Sequence, residues 1–249
     1  MIVEDIEFYN NLKQRLAGRI YKTGGAPDSG VVFSHGLFSN KDGYKITRLA
    51  KDIAATGQML LTFDFSFSGE SGGSISELSI LQEANDLACA VEYARRRGAK
   101  TIHLMGSSMG ALVTLIYASR HGKTVASLIL IAAPVDIKQI FLSDAGVTDI
   151  DSLPENGSTT IENTAINNTF FREISAIAMA EALKKITVPV MAIHGGRDAV
   201  VDPANVDLLE KYLTYPLKKI IIEGGDHSLT RDSDIEVLRH EIVSWLQMF

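Results

Sequence analysis

The chain has 249 residues, of which 46% are hydrophobic and 22% charged, and carries a formal net charge of −6. That balance suits a soluble globular protein with one sizeable core, and the acidic surplus argues against nucleic acid or an anionic membrane as partner. One cysteine, Cys89, excludes an internal disulfide and fits a reducing compartment.

The first residues, Met1-Ile2-Val3-Glu4-Asp5-Ile6-Glu7, alternate in polarity as a strand does, unlike the basic start and apolar core of a secretory signal. No apolar run approaches membrane-spanning length. The expectation is a cytoplasmic protein.

Residues 2–8 and 14–21 read as two strands around a turn at Asn10-Asn11. The continuous apolar run 30–34 is that of a central parallel strand. A helix over 44–56 and a strand over 59–63 follow, then a Ser/Gly-rich loop at 66–76. In the helix expected over 80–97, Leu87, Ala90, Val91 and Ala94 share one face. A strand at 101–104, a helix at 112–119 and a strand at 127–132 continue the rhythm.

The rhythm breaks over 134–187, with an Asn/Thr-rich middle and a helix-like stretch at 174–185. It resumes with strands at 188–193 and 217–222, a helix at 203–212 and a final helix to about Trp245. The reading is one α/β core, 1–133 and 188–249, interrupted by a cap at 134–187. Alternating strands and helices imply a mostly parallel sheet covered on both faces, with the chemistry at the strands' carboxyl ends.

One such end carries Met105-Gly106-Ser107-Ser108-Met109-Gly110-Ala111. Gly-x-Ser-x-Gly between a strand and a helix marks a nucleophile elbow, a turn so tight that the positions two before and two after the serine must lack bulk. Ser108 is its centre; Ser107 is not the central residue of the glycine frame. A serine hydroxyl needs an adjacent base, and the base needs an orienting acid. Asp198 follows the 188–193 strand in His194-Gly195-Gly196-Arg197-Asp198. His227 follows the next strand in Glu223-Gly224-Gly225-Asp226-His227.

Asp202 competes as the acid, but it precedes Pro203 and a helix, where capping explains it without chemistry. His227 taken alone is equally a surface-turn histidine, and His35, His103, His121, His194 and His240 are assigned structural roles. Met109, directly after the nucleophile, should offer a backbone N–H to a developing oxyanion, with a second donor from the loop after the 31–34 strand.

Over nearly its whole length the sequence resembles the α/β-hydrolase superfamily, and within it the small-capped carboxylesterases such as cinnamoyl and feruloyl esterases and monoacylglycerol lipases. The resemblance rests on Ser34-His35-Gly36-Leu37-Phe38, Phe63-Asp64-Phe65 with Ser68-Gly69-Glu70-Ser71, the elbow, and the segments around Asp198 and His227. It implies an α/β-hydrolase fold with Ser108 as nucleophile, His227 as general base and acid, and Asp198 as orienting carboxylate. It also implies that Leu37 N–H is the second oxyanion donor.

Phe38, Phe65, Phe141 and Phe170 are candidates to contact substrate, although Phe63, Phe65 and Phe67 equally suit a strand end packing into the core. The apolar cap residues Ile137, Ile140, Phe141, Phe170 and Phe171 either wall the site or pack the cap. No metal-ligand spacing and no dinucleotide fingerprint occurs, so no metal and no cofactor are expected.

The expected activity is hydrolysis of small-molecule carboxylic esters through an acyl-enzyme, by a monomer or homodimer. A thioesterase using the same triad is the alternative, and a non-catalytic small-molecule binding protein on this fold is the rival from another class.

Overall fold

The computed structural model describes residues 1–25 and 27–249, apart from the Asp144 side chain. Strands β1 (Ile2–Tyr9) and β2 (Arg15–Lys22) pair antiparallel as a hairpin. Its loop is wider than an Asn10-Asn11 turn, because Asn10 Oδ1 accepts from both Leu12 N and Gln14 N and Lys13 takes φ 61°.

Then follow β3 (Ser29–Ser34), α1 (Tyr44–Ala55), β4 (Met59–Phe63), α2 (Ile80–Arg96), β5 (Thr101–Ser107), α3 (Met109–His121) and β6 (Ser127–Ile131). After the 134–187 segment come β9 (Val190–Gly195), α7 (Asn205–Tyr212), β10 (Leu217–Ile222) and α8 (Asp232–Leu246). The eight strands order as β1-β2-β4-β3-β5-β6-β9-β10. From β4 to β10 every pairing is parallel, while β2 joins β4 antiparallel.

The period-2 alternation of side chains divides the core between the two faces of this sheet. Val31, Phe33, Ile129, Ile131 and Ile193 pack with Leu49, Ile53, Leu238 and Ile242 of α1 and α8. Val32, Leu128, Leu130 and Ala192 pack on the other face with Leu87 and Val91 of α2 and Leu112 and Leu115 of α3. Helix α3 is buried from Met109 through Ala118, as its apolar circumference requires. It starts directly after Ser108 rather than at residue 112. Strand β9 starts two residues later than expected, since Pro189 has no N–H to give to a sheet ladder.

The segment between β6 and β9 contains α4 (Ile137–Asp144), the hairpin β7 (Ser158–Ile161) and β8 (Thr164–Asn167), α5 (Asn168–Ala176) and α6 (Met179–Leu183). The Asn/Thr-rich run forms the hairpin, turning at Glu162 and Asn163 with φ 46° and 66°. Positive φ at both central residues is the two-residue turn whose twist matches paired strands. The single helix expected over 174–185 is instead two helices. Ile177 turns extended at φ −75°, ψ 117°, and lets Ile174 on one helix and Met179 and Leu183 on the next reach the core.

Phe141 and Phe170 meet edge to face at 5.4 Å, Phe170 and Phe171 at 5.3 Å, and all three rings are buried in the core shared with α2 and α3. Phe141 and Phe170, candidates in the sequence for substrate contact, have their rings taken up in packing. Phe170→Ala should therefore cost about 3–5 kcal/mol of stability by urea unfolding. A loss below ~1 kcal/mol, with reordered ester preference, would restore the wall-forming role. Polar ties reinforce the packing. Glu173 on α5 accepts from Ser79 Oγ and Leu81 N, each at 2.7 Å, and Asn205 Oδ1 accepts from Val135 N and Asp136 N.

Candidate active site

Strand β5 delivers Ser108 into a backbone conformation of φ 55°, ψ −125°, outside the ordinary regions for a side-chain-bearing residue. Two glycines permit it. A Cβ on Gly110 would stand 2.2 Å from Ser34 O, and one on Gly106 would stand 2.4 Å from Gly110 O. Gly110→Ala should therefore destabilise the fold by about 1–3 kcal/mol or more, read by urea unfolding, and displace the start of α3. An alanine variant as stable as the parent would refute this close packing.

Ser108 N donates to Ile131 O at 2.8 Å, and Ser108 O accepts from Ala111 N at 2.8 Å, so main-chain bonds hold the residue. The Ser108 hydroxyl, free of capping duty, lies 3.0 Å from His227 Nε2.

The loops after β9 and β10 are stitched together. Gly196 N donates to Ile222 O at 2.9 Å, Arg197 N donates to Gly225 O at 2.8 Å, and no Cβ would fit between Gly195 and Asp226 O. Asp198 and His227 are thereby set against each other, with His227 Nδ1 2.8 Å from Asp198 Oδ2. Val200 N and Val201 N both donate to Asp198 Oδ1.

His194 also reaches the Asp198 carboxylate. Its buried ring places Nε2 2.8 Å from Val201 O and 3.2 Å from Asp198 Oδ2. Burial by itself would raise the Asp198 pKa, but hydrogen bonds from His194, His227 and Val201 outweigh it and hold the carboxyl well below its ordinary range. Asp202 stands apart, exposed and accepting from Ala204 N at 2.8 Å just ahead of α7.

The loop after β3 turns at Gly36-Leu37-Phe38-Ser39, with Ser39 N donating to Gly36 O at 3.1 Å and Phe38 at φ 55°. A Cβ on Gly36 would come within 3.2 Å of Ser108 Cβ, so glycine lets this loop lie against the serine. Among the described residues, neither Leu37 N–H nor Met109 N–H has a hydrogen-bond acceptor.

His35 supports the loop from below: Nε2 accepts from Phe65 N at 3.2 Å, which leaves Nδ1 to donate to Gly36 O at 2.8 Å. Desolvation lowers its pKa and keeps the ring neutral. Asp64 braces the neighbouring loops, accepting from Lys41 N at 2.6 Å and Glu70 N at 2.9 Å, and Gly69 leaves space for its carboxylate.

A cavity of about 250 Å³ opens at Ser108 and His227, lined also by Gly36, Leu37, Ser39, Lys45 and Thr230. A larger groove of about 400 Å³ between α1 and α8 shares none of these residues. The structure places the aromatic candidates Phe65 and Phe38 differently. Phe65 is fully buried, edge-on to His35 and Phe63 at 4.9 Å each, and supports the loop rather than lining the cavity. Phe38 is 40% exposed and lies outside the lining. Lys45 was not anticipated, because a lysine in the first turn of α1 looks in sequence like any solvated helix face.

The sheet order, the elbow and the strand-end loops define an α/β hydrolase. The profile of the family described as serine aminopeptidase, S33 (Hydrolase_4) matches residues 25–153, just over half the chain, and the protein belongs to that family.

The palmitoyl-protein thioesterase ABHD10, mitochondrial, of Rattus norvegicus is 24% identical over 242 residues, covering 91% of this chain and 78% of that protein. The monoacylglycerol lipase ABHD6 of the same species is 24% identical over 243 residues, covering 81% and 71%. Among solved structures, Est1E from Butyrivibrio proteoclasticus with bound ferulic acid superposes with a TM-score of 0.88 at 17% identity, covering 97% of each chain.

Proposed function

We propose that this protein hydrolyses carboxylic esters through an acyl-enzyme formed on Ser108. The observation that carries this reading is the unbroken line from Ser108 Oγ through His227 to Asp198, at 3.0 and 2.8 Å. Asp198 holds the tautomer with the proton on Nδ1, which leaves Nε2 free to take the serine proton as Oγ attacks the ester carbonyl. The unpaired N–H groups of Leu37 and Met109 receive the oxyanion, and being main chain they need no reorganisation at that moment. His227 Nε2 then protonates the leaving alcohol. Water, deprotonated by the same nitrogen, releases the acid. In this reading the 134–187 segment is a cap that helps exclude water.

Thioester hydrolysis is a second reading, favoured by the thioesterase named among the relatives and needing no different machinery. Matched oxygen-ester and thioester pairs, from acetyl to long-chain acyl, with the corresponding anilides as controls, test both. Turnover of oxygen esters with little of the anilides is expected. Turnover confined to thioesters would select the second reading, and turnover of neither would overturn the proposal.

A further inference from the structure

Among the described residues, the cavity at Ser108 is lined by a lysine that has no carboxylate within ion-pair distance. Lys45 lies on the first turn of α1 and lines the same cavity as Ser108, His227 and Leu37. The other buried or half-buried lysines both hold carboxylates: Lys22 holds Glu4 at 2.8 Å, and Lys41 holds Glu70 at 2.7 Å and Asp64 at 3.3 Å. Lys45 is half-buried, and among the described residues no carboxylate lies within ion-pair distance of it. Burial pulls the ammonium down to about 8, while the more distant Asp198 and Asp226 favour the charged form. A half-buried charge without a partner is costly, and an arriving anion removes that cost.

Resting on the reading of Ser108 as an ester-cleaving nucleophile, we propose that Lys45 binds a carboxylate on the substrate. The preferred substrates are then esters or thioesters carrying a free monoanionic carboxylate a few bonds from the reacting carbonyl. Ser39 and Thr230 offer hydroxyls on the same lining. A single ammonium, with the negative charges of Asp198 and Asp226 in its field, favours one negative charge over the two of a phosphate monoester.

The test uses two pairs of esters matched except for charge. The 4-nitrophenyl monoester of glutaric acid is compared with its methyl-capped form, placing the carboxylate on the acyl side. Next, 3-carboxyphenyl acetate is compared with its methyl ester, placing it on the alcohol side. The wild-type protein should favour the charged member of one pair by about tenfold or more in kcat/KM, mainly through KM. Lys45→Met should abolish most of that preference, a fall of about tenfold, and Lys45→Arg should retain most of it.

Hydrolysis of all four esters without a charge preference would overturn this inference while leaving the ester-hydrolase reading intact. An equal fall for charged and neutral members in Lys45→Met would make the residue a support of the site and overturn it too. Absence of any ester turnover by the wild-type protein would overturn both.

Discussion

Ser108→Ala should lose ester turnover by roughly four to six powers of ten and leave a folded protein. The fold survives because main-chain bonds to Ile131 and Ala111 hold the elbow, and alanine carries the same Cβ into the same positive-φ conformation. In the proposed mechanism the loss is large because the acyl bond forms on the Ser108 hydroxyl. Ser107, one residue earlier, belongs to β5 and pairs there with Ile131 of β6. Ser107→Ala should change kcat/KM by less than ~tenfold. Measured side by side with circular dichroism as the folding control, a larger loss from Ser107→Ala would reassign the nucleophile.

Asp198→Asn should cost on the order of ten-thousandfold in kcat. The Asp198 oxygens face four N–H donors, from Val200, Val201, His194 and His227. An amide nitrogen placed on either side meets a donor with a donor. If it faces His227, the imidazole moves its proton to Nε2, the nitrogen that must accept from Ser108.

The same contacts make a stability prediction. The folded-state pKa of Asp198 is depressed, so its stabilisation is full above the unfolded carboxylate value of about 3.9 and fades as pH falls below it. The gap between wild type and Asp198→Asn in urea unfolding should thus be wide at neutral pH and narrower in acid. Asp202→Asn should cost little in either assay, since asparagine accepts from Ala204 N as aspartate does. Greater catalytic damage from Asp202→Asn would show that the wrong acid had been assigned.

The centre of the sheet was legible because β3, β4, β5 and β9 are short, largely apolar runs that end at or just before a glycine, serine or aspartate, and the rhythm of elements needed no tertiary information. Ser108, Asp198 and His227 were legible as strand-end residues in the order serine, aspartate, histidine. Their hydrogen-bonded approach depends on the stitching of the loops at Gly196, Arg197 and Gly225, which no local pattern announces.

The 134–187 segment was the least legible. Glu162-Asn163 lacks the glycine that usually signals a tight hairpin, and no glycine or proline marks the break at Ile177. Packing of Ile174, Met179 and Leu183 decides that break. Phe65 shows another limit: alternation says which side of a strand a ring takes, not whether that side meets a cavity or another ring. His194 reads in sequence as a residue beside the acid; only the fold brings its ring onto the Asp198 carboxylate.

In the proposed mechanism Ser108 is a nucleophile activated by His227. Treating the native protein with a fluorophosphonate and measuring intact mass, then mapping the modified peptide, tests it most directly. One adduct is expected, located on Ser108, with labelling greatly slowed in Asp198→Asn. No adduct under conditions that label known serine hydrolases, or an adduct on Ser107 or any other residue, would contradict it.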